Sequence, residues 1–320
     1  MASPIQHAEL EDHYVDEHLG ALHGAFGKVK VMSDRKTGEK VAVKLLQRSK
    51  VTEQVEREIR HYHMLRHPCV VQLRRVLLTQ FYLALVLDYV PGGSLMRFVD
   101  RKLLSEVQVR FLFQQLVAAL EFCHRQGALP RSLSLDSILV GGQSFPELKL
   151  TDFGFTAIVD SLQDEHGPGI TVYAAPEVLI RSQSPTAFRP FNLKAAAQTA
   201  DLWSLGVILA ALLFHAYPFS DPEEPKNVDR TFKRIINADY TIPEGISLSE
   251  PCKDLLSRLF KVKPEERASI ADVRKHEWFL SRIPKQLRVP YEALPPADGS
   301  QSIEDIIEIL DIVRSKKLLL

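Results

Sequence analysis

The stretch of residues 129–154 constrains the fold of this 320-residue chain more than any other. Its second half carries two short apolar segments, residues 138–140 and 148–150, separated by a glycine- and proline-containing turn. Apolar runs bounded by turn residues predict a pair of strands joined as a short hairpin. The second segment is followed at once by Asp152, Phe153 and Gly154, so we predict that the hairpin delivers a carboxylate into a turn.

Composition excludes several classes of function. Lys and Arg together number 40, as do Asp and Glu, so net charge supports neither a nucleic-acid nor an anionic-membrane partner. Cys69, Cys123 and Cys252 are widely spaced and form no C-x-x-C, which argues against a disulfide framework or zinc site. We therefore expect a reducing compartment, the cytoplasm or the nucleus, and the acidic N-terminus lacks the apolar core of a signal peptide.

One segment is long enough to span a membrane. Residues 202–220 contain no Asp, Glu, Lys or Arg, and such a length of apolar chain could cross a bilayer. Gly206, His215 and Pro218 interrupt the run, however, and Asp201 and Asp221 bracket it closely. A buried helix of a globular domain fits this pattern better, and no membrane partner is expected.

The N-terminal part carries a glycine-rich segment. Residues 1–18 are predicted to be a polar lead-in, and residues 19–31 a glycine-rich turn that runs into an alternating strand. Glycines at 24 and 27 would let backbone N–H groups approach phosphates, and Val29 begins the strand that follows them. A glycine-rich hairpin without a ligand is the alternative.

A lysine and a glutamate follow in an informative order. Residues 40–46 predict a strand with Lys44 among apolar neighbours, where a snorkelling lysine is the simplest interpretation. Residues 51–66 predict a helix whose apolar stripe includes Glu58. Because an unpaired carboxylate on a buried stripe is costly, we predict that Glu58 has a partner in the folded chain.

These residues together resemble the eukaryotic protein kinases, in which a strand lysine pairs with a helix glutamate to position phosphates. The kinase catalytic loop has the sequence H-R-D-L-x-x-x-N and is followed by D-F-G. Here Arg131, Leu133 and the D-F-G of residues 152–154 match. The chemical groups do not match, since the His, the Asp base, the phosphate-steering Lys and the metal-binding Asn are replaced by Pro130, Ser132, Ser134 and Ser137.

Further motifs occur in kinase order. Two of them are the A-P-E that ends at Glu177 and the D-x-W-S-x-G that begins at Asp201. The third is Arg267 in KPEERASI, which matches the arginine that pairs with the A-P-E glutamate in kinases. Three segments are similar to the plant sucrose-non-fermenting-related protein kinases of subfamily two, the abscisic-acid and osmotic-stress kinases. These segments are AYPFSDPEEPKN, HEWFL and the tail of residues 301–314.

The resemblance implies an α+β, bilobal protein-kinase-like fold, with a small mostly-β N-lobe bearing one helix and a larger α-helical C-lobe. We expect a lead-in at residues 1–18 and a kinase-like domain at 19–280, made of an N-lobe (19–87), a hinge (88–94) and a C-lobe (95–280). A linker (281–300) and a C-terminal regulatory helix (301–314) follow. Residues 181–199 exceed what the relatives need and are expected to be an exposed insertion.

The resemblance also implies a nucleotide site. The first glycine of the kinase pattern G-x-G-x-x-G-x-V falls on Leu22, whereas Gly24 and Gly27 match the other two. Alternatively, Gly20 takes the role of the first glycine in a loop that is two residues longer. Leu87 would be the gatekeeper residue, the backbones of Asp88 and Val90 would contact adenine, and Ser94 replaces an acidic residue that often binds ribose. Asp152 would hold the metal ion, and weak binding of ATP and Mg²⁺ is expected. The full predicted set is Leu22, Gly24, Gly27, Val29, Ala42, Lys44, Glu58, Asp88, Val90, Leu139 and Asp152.

The replacements in the catalytic loop indicate that the ability to transfer phosphate is lost or weakened. Ser132, at the position of the base, is a negligible base at neutral pH, and Asp136 lies four residues too late to replace it. No intact catalytic set remains. A pseudokinase acting on active kinase relatives or protein phosphatases is therefore favoured, with a weakly active serine/threonine kinase as the alternative and a functionless relic as the third possibility.

The tail predicts an amphipathic helix that needs a partner surface. Ser302 and Asp305 form a capping box, and acidic residues fill the first turn. The apolar stripe would bury itself against the lobe that carries the Glu58 helix, by analogy with the relatives. Its members are Ile303, Ile306, Ile307, Leu310 and Val313.

Overall fold

The structure is a computed structural model that describes residues 10–24, 27–101, 103–130, 133–142, 146–151, 171–183, 193–225, 227–295 and 300–317, with the side chains of a few of these, Glu58 among them, left out. The chain forms two compact units. The first combines Met1–Pro91 with Ala293–Leu320, and the second is Gly92–Glu292.

The first unit is built on a five-stranded antiparallel sheet. Its strands occur in the spatial order β1-β2-β3-β5-β4, so β3 and β5 are the one pair of neighbours in this sheet that are not consecutive in the chain. The bounds are β1 Tyr14–Gly24, β2 Gly27–Asp34, β3 Lys40–Gln47, β4 Leu73–Leu78 and β5 Tyr82–Asp88. β1 and β2 form a hairpin in which Gly24 pairs with Gly27, and β1 carries a bulge between Asp16 and Ala21.

One face of this sheet carries a closed apolar cluster, to which a short helix α1, Leu10–His13, contributes. The expected lead-in of residues 1–18 is therefore shorter, because Leu10 and Tyr14 are buried in this cluster and β1 already begins at Tyr14. The spacing of these two apolar residues in a polar segment is too weak a pattern to predict an element. The cluster comprises Leu10, Tyr14, Met32, Val41, Val43, Leu77, Ala84 and Val86.

Two helices complete the first unit. α2 spans Glu53–Met64, is capped by the Thr52 hydroxyl, and buries Ile59 and Tyr62. The tail forms α11, Ile303–Lys317, which packs against α2 and β4. The predicted stripe is buried at Ile306, Leu310 and Val313, and Ile309 joins it, while Ile303 and Ile307 are half-buried.

The second unit is mainly helical and contains one small hairpin, β6 Ile138–Gly141 with β7 Glu147–Leu150, as the sequence predicts. Its core includes the buried helix α4 and the aromatic group of Trp203, Phe219 and Phe260. The helices are α3 Leu95–Val99, α4 Glu106–Arg125, α5 Pro176–Gln183, α6 Leu193–Phe214, α7 Val228–Asn237, α8 Glu250–Leu259, α9 Ile270–Lys275 and α10 Glu277–Leu280.

Residues 181–199, expected to be an exposed insertion, are helical in the part that the structure describes, and Lys194 and Ala195 there are exposed. Residues up to Gln183 belong to α5, and α6 begins at Leu193, eight residues before the Asp201 motif. The segment 193–199 carries three consecutive alanines, which favour a helix, so it extends the buried helix by about two turns. Residues 184–192 lie outside the described part of the chain.

α6 is also the one helix in the described part of the chain that is long and apolar enough to cross a membrane, over Lys194–Phe214. In this structure 72% of its most apolar window is buried inside the protein. Length and composition alone are weak evidence for a span, because core helices meet the same criteria. The burial supports the interpretation of this segment as a core helix.

Candidate nucleotide site and catalytic loop

The first unit aligns three of the predicted nucleotide residues, Val29, Ala42 and Lys44, and the predicted gatekeeper Leu87 on one face of its sheet. In register, Val29 of β2 lies opposite Lys44 of β3, Lys44 lies opposite Leu85, and Ala42 lies opposite Leu87. Residues directly opposite in an antiparallel pair share a face, so these side chains lie on the face away from the apolar cluster. Lys44 is only 4% exposed, which is unusual for a lysine and consistent with a defined role.

Part of the predicted set lies outside the described residues. The side chains of Leu22 and Glu58 lie outside the description, although Glu58 falls within α2 as predicted. Gly24 and Gly27 are described only as the paired backbone ends of β1 and β2. Arg131, Ser132 and Asp152 also lie outside the described residues. The Lys44–Glu58 pair and the metal-binding role of Asp152 therefore stay predictions.

The predicted hinge begins at the end of β5. The Asp88 N–H donates to the carbonyl of Gln72 at 3.1 Å, so an adenine contact from this residue would have to use its carbonyl. The Asp88 carboxylate accepts a hydrogen bond from Arg74 Nε at 2.8 Å. Val90, the second predicted contact, has a buried side chain.

The following residues pair with the β6 strand of the second unit. Gly92 N–H donates to the carbonyl of Val140, and Val140 N–H donates to Gly93, both at 2.9 Å. A Cβ at position 92 would lie 2.2 Å from the Val140 oxygen, so only glycine fits there. The pairing places Ser94 opposite Leu139, the predicted apolar floor. Leu139 is half-buried between the buried Ile138 and Val140, so it faces away from the core beneath β6.

The catalytic-loop serines bond to each other. The Ser137 hydroxyl accepts the Ser134 N–H at 2.9 Å and donates to the Ser134 carbonyl at 3.0 Å. In return, the Ser137 N–H donates to the Ser134 hydroxyl at 3.1 Å. Ser137 is 7% exposed. Short serine side chains readily close such local turns, so this part of the loop forms a compact turn rather than presenting its hydroxyls outward.

Two tyrosines hold the same loop, and the sequence reasoning missed both. The Tyr173 hydroxyl accepts the Leu135 N–H at 3.2 Å and lies 3.0 Å from the Tyr217 hydroxyl. Burial, and then the hydrogen bond with Tyr217, raise the pKa of Tyr173, so it stays neutral. Both tyrosines are far from the loop in sequence, and no local pattern indicates such a contact.

Asp136 is the one carboxylate of the loop that the structure describes. It is exposed, and it accepts a hydrogen bond from the Ser94 hydroxyl at 3.3 Å. Ser94 also caps α3 by accepting the Arg97 N–H. Ser94 stands where kinases often carry the acid that binds ribose, and here its hydroxyl bonds to Asp136 and to the first turn of α3.

The arginine–glutamate pair that the resemblance implies is present in the second unit, together with a histidine–aspartate pair that was not predicted. Arg267, whose side chain is fully buried, donates to both carboxylate oxygens of Glu177, each at 2.8 Å. His124 Nε2 lies 2.8 Å from the Asp201 carboxylate in a buried pair. These contacts connect α4, α5 and α6, so the scaffold of the second unit is intact although its catalytic residues are replaced.

The structure describes one of the two positions that supply magnesium ligands in kinases. The catalytic-loop position that supplies a magnesium ligand in kinases is Ser137, whose hydroxyl hydrogen and oxygen both bond to Ser134. Asp152 is the single remaining carboxylate of the motif. In the described part of the loop the Ser137 hydroxyl is thus bonded to Ser134, while Val29, Ala42 and Lys44 share one face of the sheet.

Comparison with known proteins defines the class of this chain. The family described as protein kinase domain matches residues 14–279, well over half of its length. The chain therefore belongs to the protein kinase family.

The relatives define the branch. The chain is 38% identical over 317 residues to the serine/threonine-protein kinase SRK2E of Arabidopsis thaliana, covering 97% of this chain and 84% of that protein. It is 38% identical over 299 residues to SRK2A of Physcomitrium patens, covering 91% and 82%. SAPK2 of Oryza sativa subsp. indica is 36% identical over 312 residues, covering 95% and 88%. The resemblance to plant kinases of subfamily two is confirmed.

A solved structure supports the fold. The crystal structure of Rad53 1-466 in complex with AMP-PNP superposes with a TM-score of 0.68 at 28% identity. The match covers 83% of this chain and 65% of the Rad53 chain, slightly less than two thirds of its length. The predicted protein-kinase fold, with a β-sheet unit and a helical unit, is confirmed.

Proposed function

We propose that this chain is a pseudokinase: a protein of the kinase family that binds ATP weakly, transfers phosphate poorly or not at all, and acts through other proteins in stress-kinase signalling. The observation that carries the proposal is the closed turn between Ser134 and Ser137, at the positions of the phosphate-steering lysine and the metal-binding asparagine. The catalytic base is absent from the sequence as well, since Ser132 stands in its place.

The size of the expected loss follows from the missing groups. General-base assistance alone contributes about a hundred- to ten-thousand-fold in rate, or roughly 3–5 kcal/mol of barrier. The missing lysine and asparagine would have stabilised charge that develops in the transition state. Ser134 and Ser137 are neutral and bonded to each other, so neither can supply that charge stabilisation.

Nucleotide binding is supported by the sheet of the first unit. Lys44 is buried on the same face as Val29 and Ala42, and Leu87 lies opposite Ala42. An ammonium group there can contact phosphates while the apolar side chains contact an adenine ring. The AMP-PNP bound to Rad53 supports an adenine nucleotide as the ligand class.

The alternative is a weakly active serine/threonine kinase. It is favoured by the burial of Lys44 on β3, which retains the phosphate-positioning half of the machinery. Phosphoryl transfer proceeds through a loose transition state and depends mainly on positioning, so a site without a base can retain some rate.

The proposed partners are proteins, namely active kinase relatives or protein phosphatases, by analogy with the subfamily-two kinases. The balanced charge of the chain, 40 basic and 40 acidic residues, gives no support to nucleic acid. We place the protein in the cytoplasm or the nucleus, for which three buried cysteines that form no disulfide are suitable.

A thermal-shift titration with ATP tests the nucleotide-binding part. A ligand at a hundred times its Kd stabilises the folded state by about 2.7 kcal/mol, so the unfolding midpoint should rise. Lys44→Met should reduce this rise. Lys40→Met is the matched control, because Lys40 lies on the same strand but is exposed, and it should keep the full rise. The absence of a rise at millimolar ATP would refute nucleotide binding.

Transfer of labelled phosphate to a basic peptide tests the catalytic part. The wild type should show no transfer above the Lys44→Met background. Robust wild-type transfer that disappears in Lys44→Met would overturn the pseudokinase proposal and establish the weak kinase instead.

A further inference from the structure

The tail helix ends with a serine that lies between basic residues. Ser315 is exposed on the last turn of α11, and in the sequence it is preceded by Arg314 and followed by lysines at positions 316 and 317. Its hydroxyl donates to the carbonyl of Asp311, in the preceding turn, at 2.7 Å. This bond engages the hydroxyl hydrogen, and the oxygen keeps its lone pairs for use as a nucleophile.

The neighbouring Arg314 connects α11 to α2. Its guanidinium forms an ion pair with Glu56 of α2, whose side chain is only 5% exposed. Both helices belong to the same compact unit, which combines Met1–Pro91 with Ala293–Leu320. Val313, the residue before Arg314, is buried as well. Because a buried carboxylate is costly without a partner, Arg314 stabilises the docked position of the last turn of α11.

A phosphate on Ser315 would oppose the docked helical form of this turn in three ways. It adds about −1.5 to −2 charges at pH 7, at the end of the helix where the macrodipole is already negative. Asp311 lies four residues earlier, and like charges at this spacing destabilise a helix. Arg314 bonds strongly to phosphate, but adjacent side chains on a helix do not face each other. Arg314 therefore reaches the phosphate only when the last turn unwinds and Glu56 is released.

We propose that Ser315 is a phosphorylation site for a separate serine/threonine kinase that selects basic flanking residues, and that its phosphorylation undocks the end of α11 from α2. Acidic side chains in the peptide groove of such a kinase recognise Arg314 and the lysines that follow Ser315. Because helix ends fray, this segment can enter another active site in an extended form. The site uses none of the predicted nucleotide residues and does not depend on ATP binding by this chain.

The phosphoryl donor is ATP bound to the other kinase. The Ser315 oxygen forms a bond to the γ-phosphorus, and the bond from that phosphorus to the β–γ bridging oxygen breaks. ADP leaves with the electron pair of the broken bond, and the hydroxyl proton passes to the carboxylate base of the other kinase. The product is a phosphomonoester at position 315.

The first test asks whether Ser315 accepts phosphate. The full chain is incubated with ATP and protein kinase C, used as a kinase that prefers basic flanks, and the modified residues are mapped by mass spectrometry. We expect Ser315 to react at least about ten-fold faster than Ser302, which is exposed at the opposite end of the same helix but is followed by acidic residues. The double variant Lys316→Gln, Lys317→Gln should slow the reaction at Ser315. Equal rates at Ser315 and Ser302, or no phosphate at Ser315, would overturn the proposal.

The second test measures the undocking. Phosphoserine is placed at position 315 by genetic-code expansion, and the melting midpoint of the full chain should fall by about 2 °C or more. Phosphoserine at position 257 is the matched control and should lower the midpoint less. Ser257 is also exposed and donates to a carbonyl of the preceding turn, at 2.8 Å. Its neighbour Arg258, however, pairs with Asp254, whose side chain is 45% exposed, rather than with a buried carboxylate.

A variant assigns the effect to Glu56. Glu56→Gln removes the buried charge that Arg314 compensates, so phosphoserine at position 315 should lower the midpoint by less than about half as much in this background. An equal fall in both backgrounds, or no fall in the wild-type background, would overturn the undocking. If Glu56→Gln does not fold, the comparison of positions 315 and 257 decides by itself, and equal falls at the two positions would refute the proposal.

Discussion

The guanidinium of Arg267 and the carboxylate of Glu177 form two parallel hydrogen bonds, each 2.8 Å long. The remaining donors of Arg267 bond to the carbonyls of Thr199, Lys261 and Val262, so the buried cation is fully surrounded by acceptors. A bidentate pair of this kind gives geometric specificity as well as energy. It connects α5 to the segment before α9 and helps to fix the second unit independently of catalysis.

We therefore expect Arg267→Met to destabilise the protein strongly. Removing one partner of a buried pair costs about 3–5 kcal/mol, because the other charge is left without compensation. Denaturant unfolding would measure this as a lower midpoint with an unchanged slope. The control is Lys263→Met, which breaks the exposed Lys263–Glu266 pair and should leave the midpoint unchanged. Equal effects of the two variants would contradict the structural role of Arg267.

Restoring the catalytic loop should require several substitutions together. Ser132→Asp alone leaves the Ser134–Ser137 turn closed, so it should raise phosphate transfer by less than about ten-fold, because catalytic residues act as a unit. The triple variant Ser132→Asp, Ser134→Lys, Ser137→Asn opens the turn and should give more transfer than the single variants combined. Pro130 and the altered glycine loop limit the recovery. Labelled-phosphate transfer measures this, and adding Lys44→Met to the triple variant should abolish the gain.

The tail helix should stabilise the first unit measurably. Leu310 is fully buried where α11 packs on α2 and β4, so Leu310→Ala should cost about 2–5 kcal/mol. Glu308→Ala, on the exposed side of the same helix, is the matched control and should have little effect on the melting midpoint. A chain that ends at Gly299 should melt at a lower temperature. A melting profile unchanged by this truncation would contradict the packing of α11.

Truncation should also promote association. The Gln301 side chain accepts the Val76 N–H at 2.7 Å and donates to the Val76 carbonyl at 3.2 Å, on the outer edge of β4. Without Gln301 these two backbone groups are uncovered on an edge strand, which favours pairing with another chain. Size-exclusion chromatography of the truncated chain should therefore show oligomers that the full chain does not form.

Glu106 should make stability pH-dependent. Burial acts to raise the pKa of Glu106, but hydrogen bonds from Ser249, Trp278 and Arg110 outweigh it and hold the pKa below its usual value of 4.5. Because the folded-state pKa is lowered, the stabilisation is present above about pH 4.5 and is lost as the pH falls through the folded-state value.

Glu106→Gln should accordingly reduce stability by about 1–3 kcal/mol at neutral pH, and the difference from wild type should narrow toward pH 3. Melting midpoints measured from pH 7 to pH 3 would show this. Glu250→Gln, which alters an exposed pair with Lys253, should follow the wild type at every pH. A constant difference between Glu106→Gln and wild type would contradict the assigned ionic role.

The sequence alone predicts the elements whose signal is local. The strand around Lys44, the Glu58 helix, the β6–β7 hairpin and the tail stripe lie where apolar periodicity indicates them, within a few residues. The segment at Tyr14 is missed because its two buried apolar residues stand in a polar stretch. The start of α6 at Leu193 is missed because the resemblance suggested an insertion, although the alanines there favour a helix.

For the candidate site, the sequence shows which catalytic residues are replaced, but not which contacts the replacing residues make. That Ser132, Ser134 and Ser137 stand in the catalytic loop is visible in the sequence, whereas the turn between the last two depends on backbone geometry. The contact of Tyr173 with Leu135 joins residues 38 positions apart, and the Gln301 contact with Val76 joins residues 225 apart. No local pattern encodes pairings over such separations.

The Gln301–Val76 contact also sets an order of events during synthesis. The ribosome releases Val76 and the rest of the sheet early, but Gln301 and α11 emerge only after all of Gly92–Glu292. Domains generally fold as they emerge, N-terminal first, yet here the N-terminal unit lacks its covering helix until the second unit is made. The sheet of the first unit therefore receives its covering helix only after the whole of Gly92–Glu292 has been synthesised.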